Sequence, residues 1–596
     1  MANKTATTSQ MKRLEVPYFE GINTSVAHNI SKKQEFDFIT NARSSIIGNI
    51  EKRRGYTRLG NDIGSTYNAG IFHFEGSDVS NHFYRISKIG TSTNIYRLGM
   101  NDKWSSLSGK GTNLSDNMTC LCSAENCLFI VNGVDKNRYI SQDGVTVYDS
   151  DDDNGHFSGC PVSNKIAYYK DCLYAADYTV GSTRYRNSIL KSSNPLGLIS
   201  LVDGDQAIGV NRVKVTDTKY IRATDTLDIY RGAVKITTLY VNAKGEDYID
   251  VTTTDAALLS ADEIWVANTW SDTRSFRWPD NPTSGINAKQ YDTFKLTGGS
   301  NDRIRMITPI GNVLMIANSN NVGVWDNYKW DSYKTENMDI GIGCVSDQGF
   351  VKALGTLWFI HYTGIYSTTG GYPKLMSAKV DTFIQGATRA GLENCSAGRK
   401  GMSVFFAIGD CTMYRPDGSV DRVVKDVVIE YNMRQDNWFV HSNISAAFFM
   451  TYSSSQNFDL LEFCGTEGEV FELFSGTSDD GKEIPLELTT SPFTLSTTFE
   501  TIVYPKDIII ELERGSGVKC FVSLDGGPFY EIKGEASKGL TVLKVTPQKE
   551  SDQYARCRNI TLSIREFSKS LCKLSRIAIN FTDTLEFEVN RPQYGE

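Results

Sequence analysis

The chain is poor in the residue that proton transfer near neutral pH most often recruits: its 596 positions hold six histidines, His28, His73, His82, His156, His361 and His441. None of them stands in an HExxH pattern. No GxSxG elbow, no GxxxxGKS or GxxxxGKT phosphate loop and no GxGxxG turn from strand to helix occurs either. Read this way, the chain is not an enzyme and calls for no cofactor. Glycosidase chemistry escapes the motif test, because paired carboxylates can converge on one cleft from distant segments. With 70 acidic residues, sequence offers no way to choose two.

Other scarcities narrow the class further. No run approaches the roughly 18 apolar residues of a membrane-spanning helix, and the twelve cysteines include no CxxC pair, so neither a zinc knuckle nor a small disulfide scaffold is indicated. Cys120 and Cys122 share one face of a predicted strand and, with Cys127, are expected as buried thiols in a reducing cytoplasm. The net charge of −8 lacks the Lys/Arg excess that gripping phosphates requires. An acidic wall would instead let a duplex slide past. Residues 1–13 are polar, carry Lys4, Lys12 and Arg13, and precede no apolar h-region, which reads as an N-terminal arm.

What the chain has is strand signal: short runs of Val, Ile, Tyr and Phe broken by Gly, Asn and Asp, with 50 glycines and only 14 prolines. The class is all-β. An internal repeat makes it specific. CLCSAENCLFIVNG around Leu128, IAYYKDCLYAADY around Leu173, ITPIGNVLMIANS around Leu314 and VKALGTLWFIHYT around Leu357 each read as strand, tight turn, apolar strand. The spacings of 45 residues from Leu128 to Leu173 and 43 from Leu314 to Leu357 match one propeller blade. Weaker candidates at 71–104, 402–441 and 446–474 bring the total to about seven blades. The 141 residues from Leu173 to Leu314 imply a unit inserted between two blades.

The expected order is therefore an arm (1–13), a first propeller part (14–197), an inserted small β-barrel or sandwich (198–289), a second propeller part (290–492) and a C-terminal β-sandwich (493–596), with Asp525-Gly526 as a hairpin turn in the last. Trp104, Trp325, Trp330, Trp358 and Trp438 fall near blade ends, where packing between sheets is expected. In DSDDDNGH, Asp149, Asp151 and Asp153 alternate as in the first half of an EF-hand loop, but Asn154 and Cys160 stand where glycine and the bidentate glutamate belong. A solvated acidic loop is the plainer reading, Ca²⁺ binding the alternative. DGKEIP, from Asp480 to Pro485, reads as a turn.

The run YFEGINTSVAHNISKKQEFDFITNARSSIIGNIEKRRGYTRLG resembles the opening of tail nozzle proteins of short-tailed bacteriophages, the tail tubular protein B and packaged-DNA stabilisation type. The matching positions are Gly21, Asn23, Ser25, Asn41, Arg53, Arg54, Gly55 and Tyr56. KDCLYAADY with NSILKSS, IGCVSDQGFVKALGTLWFIHYTGIYSTTGG, the Tyr431, Asn432 and Trp438 group, and GTEGEVFELFSGTSDDGKEIPLELTT follow in the same order. The resemblance implies a structural virion protein, assembled in the host cytoplasm into a homo-hexameric ring. It would meet a tail adaptor ring of the head–tail connector and tail fibres, and retain double-stranded DNA until ejection without reading its sequence. The alternative is a receptor-binding or glycan-degrading propeller, a tail spike or secreted hydrolase. The Arg53-Arg54-Gly55 turn is expected to be structural rather than a DNA contact.

Overall fold

Two-residue turns organise the molecule. In the repeats, Glu125-Asn126, Lys170-Asp171 and Leu354-Gly355 all take positive φ (47° and 59°, 45° and 58°, 49° and 76°). Such turns match the right-handed twist of the strands they join. The computed structural model describes residues 11–25, 32–44, 46–75, 81–150, 160–193, 198–267, 276–278, 293–295, 302–325, 330–332, 341–415, 417–452, 460–495, 502–513, 517–532, 540–545 and 556–582. Among these, seven four-stranded antiparallel sheets form the blades of a β-propeller.

Blade 1 begins at Tyr67–Glu75, blade 2 at Cys120–Ala124, blade 3 at Val162–Tyr169 and blade 4 at Met306–Ile310. Blade 5 begins at Phe350–Ala353, blade 6 at Ser396–Lys400 and blade 7 at Ala446–Tyr452. Leu128, Leu173, Leu314 and Leu357 sit in the second strands of blades 2 to 5, and all four are buried between neighbouring sheets. Each sheet thus covers its neighbour, and the short edges that remain are protected.

The ring is closed by a distant strand. Tyr56–Arg58 pairs with Val470–Leu473 as the fourth strand of blade 7, with Tyr56 opposite Leu473. The N-terminal side of the chain therefore locks the last blade.

Two boundaries differ from the sequence expectation. Residues 14–55 do not belong to the propeller. Lys12–Val16 and Ile50–Lys52 pair with Lys573–Thr582, while Phe36–Thr40 pairs with Leu486–Thr490. These strands complete two six-stranded sheets with the C-terminal strands, and the second sheet already starts at Leu486, before position 493. The facing apolar rows, among them Ile508, Ile510, Ile577 and Ile579 against Leu488, Val522, Leu562 and Ile564, form one core. A strand's partner several hundred residues away leaves no local mark, which is why the N-terminal strands read as propeller. Lys12 and Arg13, expected in an arm, are the first residues of a strand; residues 1–10 lie outside the described residues.

The insert also sits elsewhere than expected: it leaves blade 3 after its third strand, Thr183–Lys191, and the chain returns for the fourth, Thr293–Lys295. It therefore interrupts one blade at the rim, not the junction between two. Its six strands, between Leu198 and Val266, surround a core of their own. Arg277 binds Asp225 of the insert, and the Tyr220 hydroxyl donates to the Ser192 carbonyl at 3.0 Å.

Candidate functional site

The positions singled out by the resemblance, from Gly21 to Tyr56, lie at the joint between propeller and sandwich. Gly21 lies flat against blade 6: a Cβ there would stand 2.2 Å from the Trp438 carbonyl oxygen. Asn23 donates from Nδ2 to Glu35 (2.8 Å), and its Oδ1 accepts from the backbone and hydroxyl of Ser25. Asn41, at φ 60°, donates to the Ser442 hydroxyl and the Pro485 carbonyl, both at 2.7 Å, and accepts from Arg53 Nε at 2.7 Å.

Arg53 is completely buried. Its guanidinium makes a bidentate pair with Asp479 (2.7 and 2.5 Å) and also donates to the Arg54 and Ser442 carbonyls and to Asn41. All five of its N–H groups are used. It therefore has none left for a phosphate. Arg54 is exposed at the surface. Gly55 is needed for close approach, since a Cβ would fall 1.9 Å from the Ser478 carbonyl oxygen. Tyr56 then packs edge-on to Phe463 and Phe471, and burial followed by the Asp479 carboxylate pushes its hydroxyl up to about 12.

Beside this clasp lies a second buried network. Arg43 binds Glu430 bidentately, both contacts at 2.7 Å, and His441 Nε2 meets the same carboxylate at 2.8 Å. Burial alone would raise Glu430, but Arg43 and His441 hold it down at about 2. Burial lowers His441 to about 4. The imidazole is neutral near pH 7.

Next to the clasp, between blades 6 and 7, opens an acidic cleft of about 490 Å³. Tyr56, Phe463 and Phe471 form its aromatic wall, and Asp426, Glu467, Glu469, Asp480 and Glu483 supply carboxylates. Arg58 reaches Asp480 at 3.2 Å and Glu469 at 3.6 Å. Asp426 is raised, first by burial and then by the neighbouring Asp410 and Glu467 carboxylates. Burial and those neighbours disfavour the charged form of Asp426 relative to an ordinary carboxyl, and unequal carboxyl environments are what general acid–base chemistry draws on. Sequence reasoning read Asp480 to Pro485 as a turn. It is one, with Asp480 and Gly481 at positive φ (45° and 86°), and it also lines the cleft. Asp426, Glu467 and Glu469 carried no local signal.

Of the Ca²⁺ candidates only Asp149 falls among the described residues. Asp149, in the outer strand of blade 2, is buried and pairs with Lys110 at 2.6 Å, while Asp151 and Asp153 lie outside the described residues. No metal-ligating cluster occurs among the described residues. Trp104, Trp325, Trp358 and Trp438 are buried. Cys127 is buried as expected, but Cys120 and Cys122 are only half-buried and line a cavity on the propeller axis.

No family model matches the chain, and no curated protein matches it. The chain's own seven blades show its architecture, and solved structures are similar to it at low TM-scores. BamB from Moraxella catarrhalis is 10% identical over 71% of this chain and 99% of its own, with a TM-score of 0.27. A sialidase from Trypanosoma rangeli is 8% identical over 94% and 96%, with a TM-score of 0.26. An exo-β-1,3-galactanase from Phanerochaete chrysosporium is 10% identical over 79% and 98%, with a TM-score of 0.17. This chain is a β-propeller protein.

Two of these structures are named as a sialidase and a galactanase, so the expectation that the chain is not an enzyme does not stand, while TM-scores of 0.26 and 0.17 assign no activity to this chain. The expectation rested on missing linear motifs. Carboxylates gathered from several blades leave no such motif, as the cleft around Asp426 illustrates.

Proposed function

We propose that this propeller protein is a subunit of a tail nozzle of a short-tailed bacteriophage, working in the virion as a homo-hexameric ring below the adaptor ring and beside the tail fibres. The observation that supports the reading is the convergence of three of the five resembling segments. Gly21, Asn41, Arg53 and Gly55 from the opening run meet Trp438 of the Tyr431, Asn432 and Trp438 group and Ser478, Asp479 and Pro485 of the GTEGEV segment in one buried joint. On this proposal DNA runs through the lumen between subunits, because the propeller's own axial cavity, about 630 Å³, has the size of a small-molecule pocket. Electron microscopy of the purified chain with adaptor particles tests it. A sixfold ring with a central hole is expected. A chain that stays monomeric at high concentration and never joins those particles refutes it.

A second reading, a receptor-binding or glycan-degrading propeller, is favoured by the cleft, where raised Asp426 faces further carboxylates beside an aromatic wall. Incubation with host-surface polysaccharide should then release reducing ends, and Asp426→Asn should abolish the release. Absence of cleavage and of binding by the unsubstituted protein removes this reading.

A further inference from the structure

An enclosed ion pair joins the two sheets of the sandwich. Lys52 ends the strand Ile50–Lys52, which pairs with Lys573–Thr582, and Glu566 ends the strand Asn559–Glu566 of the facing sheet. Each side chain is only 1% exposed, and Nζ of Lys52 donates to Oε2 of Glu566. The same Nζ donates to the Ser568 carbonyl, which fixes its position. The other carboxylate oxygen, Oε1, accepts twice from Ser568: from its backbone N–H at 2.8 Å and from its hydroxyl.

A buried ion pair carries a desolvation cost that its own attraction has to offset. Condensation to an amide removes both charges and keeps the contact. The arrangement supplies what that step needs. The nitrogen already touches the carboxyl group, so no encounter has to be arranged. Two donors from Ser568 meet Oε1, where negative charge builds up as nitrogen adds to the carbon, and that is the role of an oxyanion hole. Oε2, in contact with the nitrogen that gives up its protons, is placed as the leaving oxygen. Lys52 also borders a surface cavity of about 430 Å³, through which the released water can escape.

We propose that Lys52 and Glu566 join in an intramolecular isopeptide bond, with Ser568 holding the oxyanion. One proton of the ammonium passes to Oε2, Nζ adds to Cδ, and a second proton follows to Oε2 as the Cδ–Oε2 bond breaks. One N–C bond forms, one C–O bond breaks, water leaves, and nothing is oxidised or reduced. The link ties the two facing sheets together and fastens an N-terminal strand to the C-terminal part of the chain. The proposal is independent of the nozzle and of the cleft.

Mass spectrometry of the full chain tests it. The folded protein, then reduced and denatured, should be lighter than its sequence mass by one water. Tryptic digestion should yield a branched peptide in which Lys52 is joined to Glu566 and is not cleaved. Lys52→Arg keeps the positive charge but removes the amine, so it should restore the full mass and release the two peptides separately. A folded unsubstituted chain that keeps its full mass and gives those peptides unlinked overturns the proposal. So does a lost water that fragmentation places on other residues, or one that persists in Lys52→Arg. Because the decisive measurement is made on the unsubstituted chain, the proposal stays falsifiable even if Lys52→Arg does not fold.

Discussion

Replacing Arg53 with methionine removes five hydrogen bonds at once and leaves the Asp479 carboxylate buried without its cation. Removing one partner of a buried ion pair costs about 3–5 kcal/mol, because the remaining charge is neither solvated nor matched. Both partners belong to the joint that ties blade 7 and the sandwich to the N-terminal strands, so the loss should appear in the cooperative unfolding of that joint. Urea unfolding followed by tryptophan fluorescence measures it, with buried Trp438 beside the clasp as a reporter. Arg53→Met combined with Asp479→Leu should recover part of the loss, since it removes the orphaned charge. Exposed Arg54→Met should stay within about 0.5 kcal/mol. If Arg53→Met costs no more than Arg54→Met, the clasp does not hold the joint and the reasoning fails.

Acid should weaken the same region. His441 sits at about 4 in the fold against 6.5 when free, so the unfolded chain binds more protons between those values, and stability should fall as pH drops from about 6.5 to 4. A denaturation midpoint that stays flat over that window would contradict this. Glu462 carries the opposite sign: it is buried, its Oε2 has no partner, it lies opposite Glu472, and burial raises it to about 8. Its folded form holds a proton that the unfolded form releases above about 4.5, so stability is lost as pH rises to about 8. Glu462→Gln should therefore stabilise the protein at pH 8 more than at pH 5, in paired thermal melts. Gly55→Ala and Gly21→Ala should each lower the melting temperature, because the added Cβ meets a backbone carbonyl, whereas Gly371→Ala, with open space around it, should be nearly neutral.

Much of the propeller was legible because its signal is local. A hairpin needs two turn residues that tolerate positive φ and two flanking apolar strands, and Glu125-Asn126 and Lys170-Asp171 announce themselves within a dozen positions. The turn at Asp525-Gly526 was visible for the same reason, with φ of 49° and 76°. The positions from Gly21 to Tyr56 singled out by the resemblance were visible, but not what they do: Arg53 is one of two adjacent arginines in the sequence, and only burial beside Asp479 separates it from exposed Arg54.

Sequence by itself determined the class, the repeat and the presence of an insert, since each follows from patterns shorter than about 50 residues, the length of one blade. Tertiary structure alone decided which strands close the fold. Arg13 pairs with Asn580, and Tyr56 with Leu473, across separations at which alternating apolar residues fit many partners equally well. It also decided where charge collects. Asp426, Glu467 and Asp480 become one cleft with Tyr56 and Arg58 in its wall, because the strand Tyr56–Arg58, from the other end of the chain, completes blade 7 beside blade 6.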